Sequence, residues 1–173
     1  MKSHYALTIK ATNRPGLLHS VTGIINRRLI CIKSLNAAPT DVHEIVLITI
    51  EIQIAEKDLK ALTLRLENIV EIFSVDAIRY DKAICRRSCF FKLDKRMLTG
   101  GPQAIVISKW DAQIISMQGN TVLIYKSGSE DVIRRLYNEL DGPYLLGFSQ
   151  TGLIVDSRLI EGDESSVISR LAA

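Results

Sequence analysis

The stretch Thr12-Asn13-Arg14-Pro15-Gly16-Leu17-Leu18 gathers residue types suited to holding a small charged molecule. Pro15 has no amide hydrogen to lose and fits a first helical turn. Gly16 lets a backbone approach another molecule with no side chain in the way. Apolar residues at Leu17, Leu18, Val21, Ile24 and Ile25 follow at helical spacing, so the loop ends at a helix N-terminus. Unpaired amides and the positive end of the helix dipole favour an anion such as a carboxylate there. Asn13 adds an amide oxygen suited to an ammonium group. Together these residues suit a zwitterionic amino acid. A plainer reading stands beside this one: Asn13 caps the helix and Pro15-Gly16 only shapes the turn.

Other reactive residues form no catalytic set. His4, His19 and His43 all lie in the first half, without H-x3-H or HExxH spacing. His19 sits just past the loop and reads as a surface residue or a ligand neighbour. Cys85 and Cys89 fall on a strand pattern at a spacing that puts both on one side, where two buried core thiols are expected rather than half of a metal site. Cys31 lacks a base partner in the sequence. Gly100-Gly101-Pro102 has no Lys-Ser/Thr of a phosphate loop.

The elements that must position these residues fall into two similar halves. In the first, residues 5–11 read as a strand and 17–28 as a helix. Ile30, Ile32 and Leu35 mark a strand ending near Pro39, and a β-branched strand runs over 43–53. A helix with Leu59, Leu62 and Leu66 on one face covers 55–69, and 73–78 closes the unit. In the second half, strands fall at 83–93, 113–117 and 121–125, with Gly119-Asn120 as a hairpin turn. Ser127 and Glu130 have capping-box spacing for a helix reaching Leu140. A strand pair or bent strand covers 144–149 and 153–157. A helix is expected within 95–109, although Thr99-Gly100-Gly101-Pro102 makes its start loop-like, and the polar tail from Glu161 is expected to be loose. The predicted class is α+β, with two ferredoxin-like βαββαβ units at 1–80 and 81–173. One sheet face of each unit stays uncovered, and burying it by self-association predicts a dimer.

Composition narrows the function classes. Apolar residues make up 47% of 173 and charged residues 24%, which suits a folded aliphatic core rather than a disordered chain. A net charge of +3, scattered along the sequence, argues against nucleic acid, which calls for a basic stripe with exposed aromatics. Apolar runs such as Ile45–Ile48 are too short to cross a bilayer. The chain enters an alternating strand pattern without a secretory leader, and three cysteines with no CxxC do not make a disulfide framework, so the expected location is cytoplasmic.

The loop resembles the ENRPGVL signature of ACT domains, the amino-acid-binding regulatory modules. Asn26-Arg27-Arg28, Ile32-Lys33-Ser34-Leu35 and Ala38-Pro39-Thr40 resemble the SRRGFNIESLTVAPT segment of acetohydroxyacid synthase (acetolactate synthase) small subunits. Arg86–Leu93 resembles that family's RELALVKV strand, and Phe148-Ser149-Gln150-Thr151-Gly152 its RTG ending. The likeness runs over roughly residues 4–158.

This resemblance implies an ACT domain in the first unit and no catalysis by the chain itself. It implies a homodimer and a catalytic large-subunit partner carrying thiamine diphosphate, Mg and FAD. It also implies activation of that partner and feedback inhibition by a branched-chain amino acid, valine in the first instance. The effector site it implies comprises Asn13, Arg14, Pro15, Gly16, Leu17 and Leu18, with Cys31 supplied from the second strand of the other protomer. Where members usually carry Gly and Asn entering that strand, this sequence has Leu29 and Cys31, and a thiol is a poor donor and acceptor. The alternatives are another ACT-type amino-acid sensor and a ferredoxin-like nucleic-acid binder.

Overall fold

The computed structural model describes residues 2–98 and 102–156. It contains two compact units, Met1–Ile84 together with the stretch beginning at Leu153, and Cys85–Gly152. In the first, β1 (Lys2–Thr12), α1 (Leu17–Asn26), β2 (Ile32–Pro39), β3 (Ile45–Ala55), α2 (Glu56–Glu67) and β4 (Ile72–Arg79) follow in βαββαβ order. All strand pairs are antiparallel, and the sheet order is β2-β3-β1-β4. After a 3-10 turn at Tyr80–Lys82, the second unit repeats the order. It comprises β5 (Ile84–Asp94), α3 (Pro102–Lys109), β6 (Gln113–Gln118), β7 (Thr121–Gly128), α4 (Glu130–Leu140) and β8 (Leu145–Gln150). Its sheet runs β6-β7-β5-β8, and a short strand β9 covers Ile154–Asp156. The fold is α+β, with two ferredoxin-like units. No helix among the described residues is long and apolar enough to cross a membrane.

Alternation along the strands decides which face is covered. Tyr5, Leu7, Ile9 and Ala11 of β1 and Val46, Ile48, Ile50, Ile52 and Ile54 of β3 are buried on one face, two residues apart. Leu17, Val21 and Ile25 of α1 and Leu62 and Leu66 of α2 pack onto them. The second core is built likewise, from Cys89, Phe91 and Leu93 against Ile133, Leu136 and Leu140 of α4. The aliphatic residues of both cores therefore stand on the helix side. On the other face of the first sheet stand Thr8, Thr49 and Glu51, buried beside Ala6.

Two local readings need correction. Ser127 does not cap α4: it lies in β7 opposite Ser88 of β5, and the ladder fixes it as a strand residue. The cap is Ser129, whose Oγ accepts from the Val132 amide at 3.4 Å. In 95–109, a 3-10 turn at Lys95–Leu98 precedes α3, and the predicted helix is confined to Pro102–Lys109; residues 99–101 lie outside the described residues. The tail from Glu161 also lies outside them.

The end of α1 explains the missing glycine. Leu29 donates to the Asn26 carbonyl at 2.9 Å and Ile30 to that of Ile25 at 3.4 Å. This is a Schellman closure, with Leu29 in the left-handed position at φ 55 and Ile30 packed against the core. Leu29 is 89% exposed, so its side chain gives little in return for a backbone conformation that costs about 1 kcal/mol. Leu29→Gly is expected to stabilise the chain by about 0.5–1 kcal/mol, read as a higher urea midpoint at constant slope. Glycine's larger unfolded-state entropy keeps the gain below the full strain. An unchanged or lower midpoint would show that the leucine costs nothing there.

Candidate functional site

The loop between β1 and α1 is held from two sides. The Thr12 amide donates to the Glu71 carbonyl at 2.8 Å and the Asn13 amide to that of Glu44 at 2.7 Å. Glu44 lies in the β2–β3 connection at φ 62. Leu17 N–H donates to Arg14 O at 3.2 Å and closes the turn. Gly16 then caps α1 in the left-handed region, at φ 89 and ψ −14. A Cβ at Gly16 would meet nothing within 4 Å, so the glycine answers to the backbone angle and not to crowding.

The site residues are exposed apart from Leu17, which is buried. No side chain caps α1, and its first turn holds no acidic residue. Ser20 N–H is taken by Gly16 O at 3.0 Å, while the amides of Leu18 and His19 have no partner among the described residues. Two unsatisfied donors at the positive end of a helix dipole can take a carboxylate.

Beside them opens a cavity of about 230 Å³ lined by Asn13, Arg14, Pro15, Gly16, Leu17, Leu18, His19, Ala37, Val46 and Ile48. Its polar side is loop backbone with Asn13, Arg14 and His19. Its floor is aliphatic, from β2 and β3. Six of the seven residues proposed from sequence thus meet on one cavity. Cys31 does not line it; exposed, it lies just ahead of β2. The role given to Cys31 was toward the other protomer's loop, which a single chain cannot assemble.

Two expectations about this loop change. Pro15 precedes the helix, since α1 starts at Leu17, and its fixed φ serves the turn instead. Asn13 does not cap the helix, because Gly16 holds that position. Ala37, Val46 and Ile48 were not foreseen. Only the strand register, with Ala37 opposite Ile48, brings them beneath the loop.

A second polar cluster was also missed. Glu51 of β3 is fully buried. Its Oε1 lies 2.7 Å from His4 Nε2 on β1 and 3.0 Å from Lys33 Nζ on β2, and its Oε2 accepts from Ser34 Oγ at 2.8 Å. His4 in turn stacks on Tyr80, with ring centroids 4.2 Å apart. This cluster ties together the early part of β1, the late part of β3 and the entry to β2.

Elsewhere the chemistry is muted. Cys85 and Cys89 are both buried on one side of β5, as the spacing implied. Burial pushes the Cys89 thiol up to about 11, which keeps it protonated, and it donates to the Lys126 carbonyl at 3.2 Å. Among the described residues no three His, Cys, Asp or Glu gather as a metal-holding group.

Comparison with known proteins agrees with this geometry. Residues 7–74 match the family model described as an AHAS small subunit-like ACT domain. The acetolactate synthase small subunit of Mycolicibacterium smegmatis is 20% identical over 154 residues, covering 89% of this chain and 91% of its own length. That of Bacillus subtilis is 23% identical over 162 residues, covering 92% and 94%. The crystal structure of the acetolactate synthase small subunit from Thermotoga maritima shares the fold at a TM-score of 0.79 and 17% identity, covering 90% of this chain and 97% of that one.

Proposed function

We infer that this chain, which belongs to the acetohydroxyacid synthase small-subunit, ACT-domain family, is a regulatory subunit that activates a catalytic large subunit and conveys feedback inhibition by a branched-chain amino acid. The observation that carries the effector part is the cavity at the start of α1. The unpartnered Leu18 and His19 amides are suited to hold a carboxylate, and Ala37, Val46 and Ile48 offer an aliphatic floor. At about 230 Å³ the space is below the range for drug-sized ligands, which suits an amino acid and not a nucleotide. Valine is the effector we propose.

Thiamine diphosphate, Mg and FAD belong to the large subunit in this reading, and this chain carries none of them. A homodimer is supported by β2 being an edge strand, with one side of its backbone unpaired among the described strands. Pairing there would bring Cys31, just ahead of β2, toward the loop of the second protomer.

The test is a reconstitution assay. Alone, the chain is expected to form no acetolactate. Added at saturation to its large subunit, it is expected to raise turnover severalfold, and valine is expected to reduce the gain. Coupling between separate sites typically amounts to about 1–3 kcal/mol, which allows a shift of that size. No change in rate on saturating addition would end the activator reading. Activation without any valine response would leave an activator with a silent effector site.

A further inference from the structure

We propose that Ala37 sets the size of the aliphatic side chain that the cavity accepts, making it the specificity-determining position of the site. The inference rests on the effector reading given above. Three sheet residues form the floor: Ala37, Val46 and Ile48. Ile48 is fully buried and Val46 is 6% exposed, and both belong to the core that α1 and α2 cover. Neither can change volume without disturbing that core. Ala37 differs. It is exposed, carries the smallest side chain of the three, and stands on the edge strand β2 opposite Ile48.

In an antiparallel pair, directly opposed side chains are about 5 Å apart. A larger residue at 37 therefore grows over Ile48 and into the space beneath the Asn13–Gly16 loop. The Leu18 and His19 amides belong to the first turn of α1 and not to the sheet, so a change at 37 leaves them in place. Size selection and charge recognition thus fall to different elements: the sheet measures the side chain, and the helix start holds the head group.

The position also permits a clean experiment. Valine favours extended backbone more than alanine does, so Ala37→Val on an exposed strand site preserves the fold. An unchanged urea midpoint for the full-length chain checks this. Calorimetry with L-alanine, L-valine, L-leucine and L-isoleucine on wild type and Ala37→Val then reads the selectivity.

One methylene in an apolar pocket discriminates by roughly 10–200-fold. The variant is accordingly expected to lose leucine and isoleucine at least tenfold, valine less, and alanine least or not at all. If wild type binds one or more of the four and the variant keeps the same order and affinities, Ala37 is not the gauge and the proposal fails alone. If wild type binds none of the four, the effector reading of the cavity fails, and this proposal falls with it.

Discussion

Gly16→Asp is expected to weaken valine binding by at least 100-fold, about 2.7 kcal/mol, and so to remove feedback inhibition while leaving the chain folded. Two effects act in the same direction. The new carboxylate stands at the cap of α1, next to the unpartnered Leu18 and His19 amides, and competes for the donors that the effector carboxylate would use. It also adds a negative charge within a few ångströms of that group, where like charges repel.

Stability moves little, because opposing terms meet there. A side chain at φ 89 strains the backbone by about 1–2 kcal/mol, though Asp tolerates the left-handed region better than most residues. A negative charge at the first turn of a helix that has none returns about 0.3–1 kcal/mol. The added Cβ itself meets open space. Gly16→Ala separates the causes, since it brings the strain without the charge and is expected to bind valine within tenfold of wild type. Calorimetry on the three proteins decides the matter. Wild-type affinity in Gly16→Asp would mean that the carboxylate does not sit at the start of α1. Equal losses in both variants would make backbone angle, and not charge, the controlling term.

The contrast between Gly16 and Leu29 shows what the sequence made readable. Both occupy left-handed positions at opposite ends of α1. Gly16 could be recognised because its residue type matches the demand of its place. Leu29 violates that demand, and only comparison with the small-subunit pattern marked its place as one where glycine is usual. The βαββαβ order of both units was readable because core positions recur every two residues in strands and every three or four in helices.

What local pattern could not supply was register. Ser127 and Ser129 are equally good caps by type, and pairing of Ser127 with Ser88 decides between them. The aliphatic floor needs β2 aligned on β3 past a shift between Ile32 and Ser34, which no single-strand pattern contains. Glu51 and Gln53 alternate with isoleucines in the same way, yet Gln53 is exposed and Glu51 fully buried. The difference comes from partners 47 and 17 residues away, His4 and Ser34.

Glu51→Ala is expected to destabilise the chain by about 3 kcal/mol, a fall of roughly 6–12 °C in Tm for a chain of this size. A carboxylate with no exposed surface loses its hydration on folding and persists only where donors replace the water. Here His4, Lys33 and Ser34 all reach it within 3.0 Å. Removing one member of a buried charged pair typically costs 3–5 kcal/mol, because the other is left without compensation. The lower end applies, since the His4 and Lys33 side chains are 24% and 45% exposed and can return to water. Glu51→Gln keeps the volume and one acceptor but turns an amide N–H2 toward donors, so its cost should fall between wild type and the alanine variant.

The damage should concentrate where β2 begins. Lys33 is the extra residue in the register shift of β2 against β3 and Ser34 follows it, and the carboxylate holds both. Amides of residues 33–35 should therefore exchange faster in the variant than those of β1. Ala37 lies three residues further along the same strand, so weaker valine binding should accompany the loosening. Urea unfolding with an unchanged slope gives the energy, and hydrogen exchange gives the place. A loss under about 1 kcal/mol would mean that the buried carboxylate costs as much in hydration as its donors return. Uniformly faster exchange across the sheet would show that Glu51 supports the unit as a whole and not the entry of β2.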